Sequence, residues 1–314
     1  MRTSDSNKIM WVAAIGAAIG LIAASFYLPG GDDLYRYYQP FAQGCLHCGF
    51  MPYFAQWFLA PLRWLPEYPF SWGVWSLFSV SGILILAYYT KANPFLLLIS
   101  FPTLGQVWLG QVDIFIATGL VVFLFNKNPY LRGLGLIVAL SKPQLTALPI
   151  FFCLLMEEDP RLFLKLFLIP SIIILLSFIF FGVNWIPQWI LETRSNLPIH
   201  VWRLASLDVW KFGIFLTPIP ILFREKRDRM LSSLLISALA TPFYGVYSYL
   251  VFLLFEVKWW HVVLSFAWMI GFLFLHDSAM RLAWILPLAM LVEMLYKKFK
   301  PKGIEDVSQK NRPS

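Results

Sequence analysis

The chain has 314 residues, 59% hydrophobic and 13% charged, with a mean hydropathy of +0.67 and a formal charge of +8. This is too apolar for a soluble domain, and it predicts an all-α polytopic membrane protein. The basic pI of about 9.4 reads as membrane topology and does not point to nucleic acid.

The first apolar run, Met10–Leu28, follows Arg2 and Lys8. Small residues at Ala23-Ala24-Ser25 suggest a cleavage site, but the run is longer than a signal-peptide core and is read as a retained helix. Gly30-Gly31-Asp32-Asp33 comes next. Gly-Gly ends the helix, and the two carboxylates either cap the next helix or take a proton from a hydroxyl at the outer surface. These residues alone leave both readings open. Downstream, Asp33–Gln43 and Tyr53–Leu65 predict amphipathic helices lying along the surface, parted by Gly44, Gly49 and Pro52. In the same outer loop, residues 29–70, Cys45-Leu46-His47-Cys48 can close a small local disulfide in an oxidising compartment. Gly49 stands where haem attachment needs His, and a zinc site lacks a fourth ligand nearby, so no metal is assigned here. Cys153 reads as core.

Further apolar runs follow at Ser71–Thr90, Asn93–Val107, Gly110–Phe125, Tyr130–Ser141, Pro143–Met156, Leu162–Phe181, Ser206–Phe223, Met230–Ala240, Tyr247–Phe255, Trp260–Leu275 and Ala279–Tyr296. They predict a bundle of about 10–12 transmembrane helices in a single domain, 1–296, although several fall below the ~17 residues that span a bilayer unaided. A second outer loop, 182–205, is rich in Trp, Pro and basic residues, and a third outer turn is Thr241–Tyr247. The basic tail, 297–314, is expected to be cytoplasmic and disordered. With the N-terminus inside, 18 of the 25 basic residues fall on inner segments, and only Arg36, Arg63, Lys142, Arg194, Arg203, Lys211 and Arg281 fall outside. That asymmetry predicts cytoplasmic termini and an even helix count, in a membrane read as the prokaryotic plasma (inner) membrane. Trp57, Trp64, Trp72, Trp185, Trp189, Trp202, Trp259 and Trp260 are expected to be interfacial anchors.

Two charges interrupt the apolar pattern. Lys142 sits in a hairpin between two helices, where it either serves a site or snorkels to the surface. Asp113, near Gln106 and Gln111, either contacts a ligand or pairs with Lys142, and pairing is the favoured reading. Arg194 and Arg203 flank Asn196, Pro198 and His200 in a stretch that either binds an anion or faces lipid headgroups. No Gly-rich phosphate loop occurs, which argues against a soluble nucleotide substrate.

Several short motifs follow one another along the chain: Asp33-Leu34-Tyr35-Arg36-Tyr37-Tyr38, Met51-Pro52-Tyr53 and Pro61-Leu62-Arg63-Trp64-Leu65-Pro66. Gly110-Gln111-Val112-Asp113 comes next, then Gly133-Leu134-Gly135 leading to Lys142-Pro143-Gln144, and Thr241–Tyr244. In their order and spacing, these motifs resemble glycosyltransferase family 87, multi-spanning enzymes of the GT-C superfamily that use polyprenyl-phosphate sugars. Tyr244 and Tyr247 occupy the late turn in which some relatives carry His. The resemblance implies a GT-C-like fold and transfer of a mannose-like sugar from a polyprenyl-phosphate donor to a hydroxyl acceptor on the outer face, with inversion. Asp33, or its neighbour Asp32, is then the base. Lys142, Arg203, Arg194, Lys211 and Arg36 are expected to face the donor phosphate, and Tyr37, Tyr38, Gln111, Asp113, Tyr244 and Tyr247 the sugar or acceptor. No cofactor is implied, with a divalent metal left open. The expected partners are the lipid-linked donor and membrane lipids. A catalytically silent subunit of a membrane complex and a lipid or solute transporter are the competing classes.

Overall fold

The computed structural model describes residues 2–157, 159–195, 209–242 and 244–300. Every element assigned among them is helical. Ten α-helices among them have nine or more residues: α1 (Arg2–Tyr27), α2 (Phe70–Thr90), α3 (Phe101–Leu109), α4 (Asp113–Phe125), α5 (Pro129–Ala139), α6 (Pro143–Leu154), α7 (Pro160–Phe181), α8 (Trp185–Ser195), α9 (Lys226–Ala240) and α10 (Ile285–Phe299).

Among the described residues, four stretches are long and apolar enough to cross a membrane: Asn7–Tyr27, Phe70–Thr90, Pro160–Phe181 and Ala279–Phe299. The protein is therefore an integral all-α membrane protein. The other expected segments are shorter or broken. Asn93–Val107 divides into Pro94–Leu98 and α3, and Trp260–Leu275 becomes two short α-helices around a 3-10 stretch, Ala267–Gly271. With 13 residues, α4 is only about 20 Å long, short of a ~30 Å hydrocarbon core. It is sheltered by protein, with Ile116, Ala117, Leu120 and Phe123 all buried. By contrast α1 and α7 expose apolar side chains such as Ile15, Ile19, Leu164 and Ile179, as lipid-facing helices must.

Small residues set the closest helix contacts. A Cβ at Gly135 would lie 2.6 Å from the Gly119 carbonyl oxygen, and one at Gly133 would lie 2.1 Å from the Leu166 oxygen. The backbones of α4, α5 and α7 therefore touch, a form of packing suited to lipid, where close van der Waals fit replaces hydrophobic drive. Side-chain oxygens cap two of the entries: Asn128 accepts from Tyr130 and Leu131, and Asp159 accepts from Arg161.

The helix directions give the bundle two unlike ends. At one end, Arg132 pairs with Glu157 at 2.7 Å and donates from Nε to the Phe123 carbonyl, while Arg227 donates to the carbonyls of Thr90 and Phe255. Lys258, Lys297, Glu256 and Glu293 form an ion network there, with Lys297 at 3.1 Å from Glu256 and 2.9 Å from Glu293. Lys297 was expected in a disordered tail, but α10 carries it and runs on to Phe299. Residues 301–314 of that tail lie outside the described residues. The other ends of α2, α4, α5 and α6 converge with the segment after α1.

That segment differs from its expected form. The surface helices resolve into Leu34–Tyr38, Gln39–Gln43, Ala55–Leu59 and Ala60–Trp64. They do not lie loosely on a membrane surface, because Leu34, Phe41, Ala42, Leu59 and Leu62 are buried in the core. Gln56 Nε2 donates to the Phe41 carbonyl at 2.8 Å, and Arg63 Nε to that of Ala42, joining the two halves. Trp72 and Trp185 are likewise core residues and not interfacial anchors. Trp64 and Trp259 are exposed as anchors should be, and Trp202 lies outside the described residues.

Candidate active site

The site begins where α3 ends. A helix C-terminus leaves carbonyls without intrahelical partners, and here neighbouring elements supply donors. Trp72 Nε1 donates to the Val107 carbonyl at 2.7 Å, and the Gly31 amide to that of Trp108 at 2.7 Å. Trp75 Nε1 donates to the Gln111 carbonyl at 3.1 Å. The chain turns at Gly110 with φ +70°, and a Cβ there would lie 2.8 Å from Leu34 Cβ. Glycine thus allows both the left-handed turn and the close approach of Gln111 to the segment carrying Asp33.

From Leu34 to Tyr38 the backbone forms a π-turn, with the Gln39 amide bonded to the Leu34 carbonyl. Such wide turns re-aim side chains and are frequent at functional sites. The Asp33 carboxylate makes no capping bond to this turn. Instead, Gln111 Nε2 donates to Asp33 Oδ2, and Asp33 is 7% exposed. The carboxamide oxygen of Gln111 accepts from Tyr38 Oη at 2.6 Å and from Lys142 Nζ at 3.0 Å. Lys142 also donates to Asp113 Oδ1 at 2.5 Å, while Ser248 Oγ donates to Asp113 Oδ2 at 2.5 Å. The ammonium lies 5.2 Å from the Tyr38 ring centroid and 5.8 Å from that of Tyr247. Burial, and after it the negative charges of Asp113 and Asp33, pushes the Tyr38 hydroxyl well above its ordinary range, so it remains a donor.

The expected site residues therefore divide. Asp33, Tyr38, Gln111, Asp113, Lys142 and Tyr247 come together. Asp32 turns outward and pairs with Arg36 at 2.7 Å, with side chains 46% and 68% exposed. Tyr37 packs edge-on against Phe50 at 5.2 Å. Tyr244 is buried beside Tyr249, its hydroxyl without a hydrogen-bond partner among the described residues. Arg194 and Lys211 are exposed, with Lys211 Nζ 5.9 Å from the ring of its neighbour Trp210. Arg203 lies outside the described residues. Cys45 and Cys48 are joined in a disulfide, and His47 Nε2 lies 3.4 Å from Cys45 Sγ.

Lys142 does not snorkel: it is buried and ion-paired, in the pairing with Asp113 that the apolar surroundings favour. Ser248, Trp72 and Trp75 were missed by sequence reasoning. No charge or motif singles out Ser248, and buried indoles cannot be told from interfacial ones by composition.

Separately, α8 docks on the segment between α1 and α2. Tyr53 Oη donates to Glu192 Oε2 at 2.5 Å, and Trp185 stacks on the Tyr53 ring at 5.7 Å. Burial, reinforced by the Glu192 carboxylate, pushes the Tyr53 hydroxyl upward and keeps it protonated.

Neither the comparison with curated proteins nor that with solved structures finds a match. A family model does match over residues 51–217, a little over half of the chain. Gln111, Asp113, Lys142 and Tyr53 fall within that stretch, whereas Asp33, Tyr38 and Ser248 join the site from either side of it. On that match the chain belongs to glycosyltransferase family 87.

Proposed function

We propose that this family 87 member transfers a mannose-like hexose from a polyprenyl-phosphate donor to a hydroxyl acceptor, with inversion, at the extracytoplasmic face of a prokaryotic plasma membrane. One observation carries this reading: a carboxylate, Asp33, is held by a carboxamide in a buried polar cluster at the bundle end away from the Lys- and Arg-rich network. On the positive-inside rule, that end is the outer one and both termini are cytoplasmic.

Inversion needs one base on the face of the sugar opposite the leaving group. Asp33 takes the proton of the acceptor hydroxyl as its oxygen attacks the anomeric carbon. The C–O bond to phosphate breaks, and the lipid phosphate leaves with the bonding electron pair. A phosphate is a weak enough base to leave without protonation, so no cofactor is assigned. Its growing charge calls for cations. Lys142 is committed to Asp113 and Gln111, which leaves that role to Arg203, Arg194 and Lys211 of the second outer loop and its continuation. Asp32 is assigned a surface pairing with Arg36 and no chemical step.

The test is the product's anomeric configuration, read by NMR after reaction of the purified chain with an anomerically defined polyprenyl-phosphate hexose. Inversion with wild-type protein, and no product with Asp33→Asn, supports the reading. Retention of configuration, or undiminished product from the variant, overturns it.

A further inference from the structure

Gln111 was expected to bind sugar or acceptor; its carboxamide oxygen accepts from Tyr38 and Lys142, and its nitrogen donates to Asp33. We propose that Gln111 is a positioning residue that fixes the orientation of the Asp33 carboxylate and brings the charge of Lys142 to bear on it without direct contact. This rests on the reading of Asp33 as the base.

The direction of the amide follows from chemistry. An ammonium has donors only, so the Gln111 atom 3.0 Å from Lys142 Nζ must be the oxygen. Tyr38 Oη, 2.6 Å from the same atom and held in its protonated form, agrees. The NH2 group must then face Asp33. Neither end of the amide can swing away. On the backbone side, the Gln111 amide donates to the Gln106 carbonyl at 3.0 Å, its own carbonyl accepts from Trp75, and Gly110 packs on Leu34. On the far side, Lys142 is anchored by Asp113, whose second oxygen accepts from Ser248.

The result is a one-way series: Ser248 and Lys142 donate to Asp113, Lys142 donates to Gln111, and Gln111 donates to Asp33. A positive charge polarises the amide, and the amide N–H pins one carboxylate oxygen. The amide thereby sets the orientation of the Asp33 carboxylate toward a substrate hydroxyl.

The experiment measures kcat, donor KM and the pH–rate profile of the full chain in detergent with a polyprenyl-phosphate hexose donor. For Gln111→Ala, kcat falls about 100-fold, the scale of a misplaced reacting group. The donor KM moves by less than about threefold, and the acid limb of the profile shifts to higher pH because the carboxylate has lost a donor. Gln111→Glu keeps the side-chain shape and still accepts from Tyr38 and Lys142, but it offers Asp33 an oxygen. It is expected to be as impaired at neutral pH as the alanine variant, and it carries the test alone should the alanine variant fail to fold.

A near-normal Gln111→Glu enzyme would reduce Gln111 to filler, and a raised KM at unchanged kcat would make it a sugar contact. Either outcome overturns the proposal. Asp33→Asn separates the two levels: full activity there removes the base and the clamp together. An inactive Asp33→Asn beside Gln111 variants with normal kcat and pH profile removes the clamp alone.

Discussion

Lys142 Nζ and Asp113 Oδ1 lie 2.5 Å apart, with side chains 7% and 0% exposed, so the bundle holds a fully desolvated ion pair at the start of two of its helices. Breaking such a pair leaves a lone buried charge and costs about 3–5 kcal/mol, whereas replacing both partners by apolar groups is often neutral. Lys142→Met is therefore expected to lower the melting temperature in detergent sharply. Lys142→Met with Asp113→Leu is expected to regain most of it while staying inactive, because Gln111 has lost its cation. A stable Lys142→Met protein would contradict this account of the pair.

Gly110→Ala adds one methyl group where φ is +70° and Leu34 Cβ is 2.8 Å away. The left-handed conformation alone costs about 1–2 kcal/mol. The contact must also push the turn off the Asp33 segment. Transfer activity is expected to fall further than stability does, which parallel turnover and melting measurements would reveal.

Tyr53→Phe removes the hydroxyl that holds Glu192 at 2.5 Å but keeps the stacked rings. A hydrogen bond to a charged group contributes about 1.5–3 kcal/mol. The expected consequence is local: faster amide exchange across residues 185–195 with little change in the exchange of α4 and α5. Unchanged exchange in α8 would show that the Tyr53 hydroxyl does not hold it.

At the opposite end, burial raises the affinity of Glu256 for a proton, but hydrogen bonds and charge from Lys258 and Lys297 outweigh it, and the net shift is downward. A lowered carboxylate stabilises the fold above its unfolded-state range of about 4, and that contribution is lost as the pH falls through the lower folded value. Melting temperature is expected to decline in that acid window, and less so in Glu256→Gln. An identical acid profile for both proteins would rule Glu256 out as its source.

Much of this was legible from residue types. Apolar runs such as Ser71–Thr90 showed an all-α membrane protein. Lys142 and Asp113 stood out because each is a charge in an apolar setting. Hydropathy measures the length of an apolar run but not its continuity, so the breaks that split Asn93–Val107 and Trp260–Leu275 were hidden. The parting of Asp32 from Asp33 was equally hidden. It depends on a π-turn and on the close approach of Gly110 to Leu34, both tertiary matters. Ser248 carries no charge and enters the site only because the 246–249 turn packs beside α3.

The most direct test of the central claim is single-turnover transfer by Asp33→Asn, with donor binding measured on the same preparation. The account predicts that the donor still binds while transfer falls by at least about 100-fold, the lower range for loss of a positioned base. Transfer at the wild-type rate with the carboxylate gone would contradict it.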